Sequence, residues 1–145
     1  MQKPAFEPHP AVARIVDANF NRLSEGLKVI EDIVRLGINE PALLTRIRTL
    51  RTRLGKSFLA LRLSVVPFRN SDQDPGRKDR FDRLKRKSLP DVLWVNFKRT
   101  EEASRVLEEM LKIDRPDYAR RIKKFRFTLY ELEKRALAAI KKSQP

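Results

Sequence analysis

Apolar residues recur at three- and four-residue spacing through most of this chain. From Pro10 to about Leu36, Val12, Ile15, Val16, Leu23, Leu27, Ile30 and Val34 follow the period of an amphipathic helix. Pro10 suits its first turn, and Gly37 stands just past its end. Pro41 opens a second helix through roughly Leu63, with Leu43, Leu44, Ile47, Leu50, Leu54, Phe58 and Leu61 on one side. The pattern breaks from Pro67 to Lys87, where Asn70-Ser71-Asp72 and Asp74-Pro75-Gly76 are turn residues ahead of a basic run. Ser88 suits the cap of a third helix that has Pro90 in its first turn and runs to about Ile113. Pro116 opens a fourth, ending near Lys141, and no useful length of chain alternates as a strand does.

These elements predict an all-α fold. Residues 10–66 form a first helical hairpin, 67–87 a long loop and 88–143 a second hairpin, after a disordered leader at 1–9. The hairpins are expected to be related by a pseudo-two-fold and to pack as a four-helix bundle, with function placed on the loop between them.

The pseudo-symmetry rests on repeated sequence. Asn19-Phe20-x-Arg22-x-x-Glu25-x-x-Lys28-Val29-Ile30-Glu31-Asp32 returns as Asn96-Phe97-x-Arg99-x-x-Glu102-x-x-Arg105-Val106-Leu107-Glu108-Glu109. The second and fourth helices match more loosely, Arg46-Ile47-Arg48-Thr49-Leu50-Arg51 against Arg121-Ile122-Lys123-Lys124-Phe125-Arg126. A packing stripe needs only apolar identities, whereas here polar residues repeat in type and register. At about 100° per residue, Asn19 falls inside the apolar arc, with Arg22 and Glu25 progressively further round. Gly26 and Ala103 follow, small enough for a backbone or ligand to come close. An amide in an apolar seam costs about 1–3 kcal/mol unless it is hydrogen-bonded. Either Asn19 and Asn96 bond each other and fix helix register, or they face a ligand together with the guanidinium forks of Arg22 and Arg99.

Composition narrows the chemistry. The chain has 145 residues, enough for one domain with a core. It has no Cys and a single His, His9, which removes disulfides, thiolate chemistry, His-based zinc sites and triads. No stretch approaches a membrane span and the start lacks a signal-peptide core, so a cytoplasmic protein is the plain reading. The net charge is +14, with Lys and Arg crowded between Arg46 and Lys87 against only Asp72, Asp74, Asp79 and Asp82. Such a field attracts nucleic acid, headgroups or a phosphorylated small molecule. A charged fraction of 36% without Cys also suits a thermophile.

The loop Arg69-Asn70-Ser71-Asp72-Gln73-Asp74-Pro75-Gly76-Arg77-Lys78 combines cations with carboxylates, as phosphoryl transfer around Mg²⁺ requires. Gly55-Lys56-Ser57 is not a Walker motif: Leu50 stands where its first Gly belongs, and the triplet lies in a helical pattern.

Arg14 through Asp32 closely resembles the opening of a helical domain that is fused ahead of thiamine-phosphate synthase in cyanobacteria and other bacteria, and that also occurs alone. Asn96 through Glu109 is similar to its second signature and Arg126-Phe127-Thr128-Leu129-Tyr130-Glu131-Leu132-Glu133 to its closing one. Arg69 through Gly76 resembles its R-D-[ST]-x-x-D-x-G loop, and the likeness spans about residues 10 to 135. It implies a hydroxymethylpyrimidine phosphate kinase of thiamine biosynthesis, using ATP and Mg²⁺ to make the diphosphate consumed by thiamine-phosphate synthase. By this resemblance Arg14, Asp17, Asn19, Arg22 and Glu25 are substrate-binding candidates from the first signature. Asn96, Arg99, Glu102 and Arg105 are those of the second, and Arg126 and Tyr130 those of the last helix. Arg69 and Asp74 are the catalytic candidates, with Asp74 also the metal ligand. We expect Asn19 or Asn96 to read the aminopyrimidine edge, and Arg22, Arg99 and Arg69 to hold phosphates. The chain departs at Asn70, where the loop usually carries Asp, which weakens any metal or base role there. None of the synthase's Gly-rich phosphate loops is present, so synthase activity does not belong to these residues.

Two other functions compete. A non-catalytic docking or regulatory domain of a thiamine-phosphate synthase predicts a closed Asn–Asn seam and an exposed apolar patch. A nucleic-acid binder would use the charge and the Arg77–Lys87 run, but wants exposed aromatics, whereas Phe58, Phe125 and Phe127 suit helix packing. That makes nucleic acid the least favoured partner. A homodimer is compatible with a small bundle bearing a long loop.

Overall fold

A computed structural model of the chain describes residues 7–78 and 85–143. Residues 1–6 of the leader expected at 1–9, and residues 79–84 of the basic run, lie outside the described residues. Helix α1 (Pro10–Ile33) begins where the His9 imidazole Nδ1 accepts the Ala11 N–H at 3.1 Å. It ends in a π turn, Val34–Ile38, closed by the Asn39 N–H donating to the Val34 carbonyl at 3.0 Å. Asn39 is left-handed, with φ 59°. The stop therefore falls at Asn39 rather than Gly37, on one of the few side chains that tolerate this conformation. Gly37 instead serves close approach, since a Cβ there would lie 2.9 Å from Leu89 Cδ2.

Periodicity runs unbroken from Pro41 to Leu63, yet the structure divides it into α2 (Pro41–Ser57) and α3 (Leu59–Val65). The break is at Phe58, at φ −117° and ψ 9°, whose ring turns inward to lie 5.5 Å from that of Phe20 and 5.6 Å from that of Tyr118. Short 3₁₀ turns at Val66–Phe68, Ser71–Gln73 and Pro75–Lys78 carry the chain across the surface. The Ser88 hydroxyl then accepts the Asp91 N–H at 3.2 Å and opens α4 (Leu89–Asp114). Helix α5 (Pro116–Ser143) follows after a single residue, Arg115, and no strand occurs among the described residues.

The fold is all-α, as the pattern predicts. Its helices do not pack as two equal hairpins. Helix α4 lies between α1 and α5 and packs along both, while α2 touches α1 and α5 over short stretches. Leu23, Leu27 and Ile30 of α1 are fully enclosed, as are Leu93, Phe97 and Leu107 of α4 and Leu129 of α5. Phe58 and Phe125 are buried as expected, but Phe127 is 54% exposed. Its ring stands edge-on to Tyr130 at 5.7 Å, with the Arg126 guanidinium 5.2 Å from its centre.

The repeat is retained in hydrogen bonds. The Asn19 amide donates to the Ile15 carbonyl at 2.8 Å, and the Asn96 amide to the Val92 carbonyl at 2.8 Å. Glu31 is buried and accepts from Arg48 and Arg51 of α2; Glu108 is buried and accepts from Arg126 of α5 at 3.1 Å. On the helix surface Lys28 pairs with Glu31 and Asp32, and Arg105 in the same register pairs with Glu108 and Glu109. Of the repeated charges, Glu31 and Glu108 thus fasten each long helix to the one that follows it.

Helices α1 and α4 approach closely at Gly26, where a Cβ would stand 2.6 Å from Thr100 Cγ2 and 3.5 Å from the Asn96 carbonyl. Gly26→Ala gains about 0.5–1 kcal/mol of helix propensity. Against it stands an overpacking cost of about 1–3 kcal/mol. Thr100 cannot swing aside, being fully buried with its hydroxyl on the Phe97 carbonyl at 2.7 Å. The clash wins, so urea unfolding of Gly26→Ala is expected to show a lower midpoint, restored when Thr100→Ser is added.

Candidate functional site

The outer face of the first half of α1 and the 3₁₀ segment enclose a cavity of about 650 Å³, well within the range of small-ligand sites. Arg14, Asp17, Asn19 and Arg22 line it from α1, and Arg69, Asn70 and Asp74 from the segment. One interaction sets its shape. Arg69 donates through Nε to Asp17 Oδ2 at 2.6 Å and through Nη2 to Asp17 Oδ1 at 2.7 Å. This planar fork joins residues far apart in sequence and draws the segment onto α1. The Asp17 side chain is only 7% exposed, against 43% for Arg69. Asp17 therefore acts on a partner rather than on solvent, and it holds the Arg69 guanidinium more firmly protonated than usual.

The rest of the segment is shaped by local bonds. Asp74 Oδ1 accepts the Gly76 N–H at 2.8 Å, an Asx turn that sets the carboxylate at the cavity edge. Asp72 takes Arg77 at 2.7 Å and faces solvent. Arg14 and Arg22 are exposed, and neither pairs with a carboxylate among the described residues. Asn19 is 95% enclosed; its amide N–H is spent on the Ile15 carbonyl, which leaves Oδ1 as an acceptor. No cluster of three or more His, Cys or acidic residues suited to a metal occurs among the described residues. Asp74 is a single carboxylate with one oxygen outside the Asx turn. It fits a Mg²⁺ that arrives on nucleotide phosphates and needs only one or two protein carboxylates.

The structure distributes the expected site residues unevenly. Arg14, Asp17, Asn19, Arg22, Arg69 and Asp74 meet at the cavity, whereas Glu25, Asn96, Arg99, Glu102, Arg105, Arg126 and Tyr130 are not in its lining. Glu25, Arg99 and Glu102 are exposed. Arg105 pairs with Glu108 and Glu109, and Arg126 joins Glu108 and donates to the Tyr130 hydroxyl at 2.9 Å. Neither expected arrangement of the twin asparagines occurs: they do not bond each other, and they do not share this cavity. Each satisfies its own helix, and only Asn19 faces the 3₁₀ segment. Ser71 and Gln73 also line the cavity; their place inside the loop motif was the signal available for them. A second groove on α2 is lined by Thr45, Thr49, Arg48, Arg53 and Lys56 and contains no acid. No helix among the described residues is long and apolar enough to cross a membrane.

A model of the ThiD2 family matches residues 14–135. The chain is similar to a thiamine-phosphate synthase of Gloeobacter violaceus, 40% identical over 126 residues that cover 86% of this chain and 36% of that protein. A thiamine-phosphate synthase of Nostoc punctiforme is 38% identical over 123 residues, covering 84% and 34%, and one of Thermosynechococcus vestitus 38% over 121 residues, covering 83% and 34%. The chain spans about a third of the length of these curated relatives. No solved structure matches it.

Proposed function

This chain belongs to the ThiD2 family, and we propose that it works in thiamine biosynthesis, phosphorylating hydroxymethylpyrimidine phosphate to the diphosphate with ATP in the cavity between α1 and the 3₁₀ segment. The observation that carries this reading is the convergence of Arg14, Arg22 and Arg69 with Asn19 and Asp74 around one ligand-sized space. In this reaction an oxygen of the substrate's phosphate attacks the γ-phosphorus of ATP. The bond to the β–γ bridging oxygen breaks, and ADP leaves. The attacking oxygen is already anionic near neutral pH. The site therefore needs no general base, and its task is positioning and charge neutralisation.

The arginines supply that charge. Arg69, aimed by Asp17, presents its remaining Nη1 edge to phosphate, and Arg14 and Arg22 offer two further forks. Asn19 Oδ1 accepts from the exocyclic amine of the pyrimidine. When bound, Mg²⁺ on Asp74 would offset charge on the transferring phosphates. Asn70 contributes a neutral amide where an aspartate would repel them.

A second reading, a docking or regulatory domain of a synthase, is supported by the chain's likeness to a part of proteins named thiamine-phosphate synthase. One assay separates the two. Purified chain, Mg-ATP and hydroxymethylpyrimidine phosphate are incubated and the diphosphate is followed directly. Turnover is expected, and Arg22→Ala should lower it about 100-fold or more. Arg99→Ala, at the same repeat position but outside the cavity lining, should cost far less. Absence of turnover from folded protein would overturn the kinase reading in favour of docking.

A further inference from the structure

Away from the cavity, the α4–α5 seam buries two carboxyl groups against one lysine. Glu101 of α4 is 6% exposed, and the side chain of Glu133 of α5 is 13% exposed. Lys98 Nζ lies 3.3 Å from Glu101 Oε1 and 3.0 Å from Glu133 Oε1. It also sits 4.2 Å from the centre of the Trp94 ring, which fixes its direction. The remaining oxygen of each carboxyl, Oε2, is buried with no hydrogen-bond donor.

Two ionised carboxylates offer only acceptors, so neither can satisfy the other, and a buried unsatisfied acceptor is costly. A proton on Glu101 makes it a donor, and Glu133 is its hydrogen-bond partner. One proton thus satisfies both orphan atoms and brings the net charge of the trio to zero. The charged groups acting on Glu101 are Glu133 from α5 and Lys98 from its own helix. Helix α1 meets this part of α4 with Gly26 against Thr100, and its charged residues are not among the groups that act on Glu101. Burial first, and then the bond to Glu133 and its repulsion, push the Glu101 carboxyl up to about 8.

We propose that Glu101 and Glu133 hold one proton between them in the α4–α5 seam, and that losing it in alkaline solution weakens that seam. A carboxyl raised above its ordinary 4.5 stabilises the fold fully below that value. The contribution declines as pH climbs and is gone once pH has passed about 8.

The test is thermal unfolding of the full chain, with and without Glu101→Gln, from about pH 5 to pH 9.5. The wild-type Tm should fall more steeply over this range, because Gln keeps an N–H donor facing Glu133 at every pH. Parallel curves would overturn the proposal. If the variant fails to fold, ¹³C-carboxyl NMR of the wild type decides: one glutamate titrating above pH 7 supports it, and ordinary titration of every glutamate overturns it. A saturable rise of the alkaline Tm with K⁺ or Mg²⁺ would put a cation between the two oxygens, and would also overturn it.

Discussion

Glu108→Ala is expected to lower stability by about 3–5 kcal/mol, because it strands Arg126 in the α4–α5 seam. The Glu108 side chain is 4% exposed and that of Arg126 13%, with Arg126 Nη2 at 2.9 Å and Nε at 3.1 Å from Glu108 Oε2. The Tyr130 hydroxyl accepts a further hydrogen bond from Arg126 Nη1, so the arginine cannot readily turn to water. Its counterpart, Glu31→Ala, should cost much less. There the arginine side chains, Arg48 and Arg51, are 51% and 35% exposed and can relax into solvent. Urea unfolding of both variants checks the asymmetry, and equal losses would show that the two pairs are energetically alike. Replacing Glu108 and Arg126 together by Met should recover most of the loss, since a packed apolar pair of similar volume carries no desolvation penalty.

That asymmetry was not legible in the sequence, although its ingredients were. The repeated Glu31 and Glu108, and the matching Arg51 and Arg126, stand in plain view in the two halves. A repeat shows that positions are equivalent but not what each touches, because touching depends on how closely the helices pack. Here α4 and α5 run along each other while α2 stands off from α1. The helices themselves were read almost to their ends, since Pro10, Pro41, Ser88 and Pro116 mark starts by local chemistry alone. Phe58 was missed because its apolar character fits the helical period whether or not the chain bends there. At the bend the Phe58 ring packs against Phe20 and Tyr118, partners distant in sequence.

The candidate site divides along the same line. The residue types of the first signature and the loop were both readable, but the Asp17–Arg69 fork that brings them together is a long-range contact. The twin asparagines promised a symmetric cleft. Among the described residues, a 3₁₀ segment folds over α1 and none over α4. Symmetric sequence became an asymmetric site because the connection between the halves lies on one side only.

The other large effect is expected at that fork. If the cavity performs the proposed transfer, Arg69→Ala should lower kcat/KM about 100- to 1000-fold, the usual scale for one charge-stabilising donor at a phosphoryl group. Asp17→Ala should fall short of that, because Arg69 persists but is no longer aimed. Its side chain is 43% exposed and would swing toward water once released. The loss should appear mainly in kcat, since a mobile guanidinium still attracts phosphate but seldom holds the in-line geometry. The double variant separates positioning from contact. If Asp17 works only through Arg69, adding Asp17→Ala to Arg69→Ala costs little more, and the two effects are strongly non-additive. Multiplying effects would instead place Asp17 on the substrate itself. Arg69→Lys completes the argument: it keeps the charge but cannot grip both Asp17 oxygens and present a free edge at once. It should resemble Asp17→Ala in kcat more than it resembles the wild type.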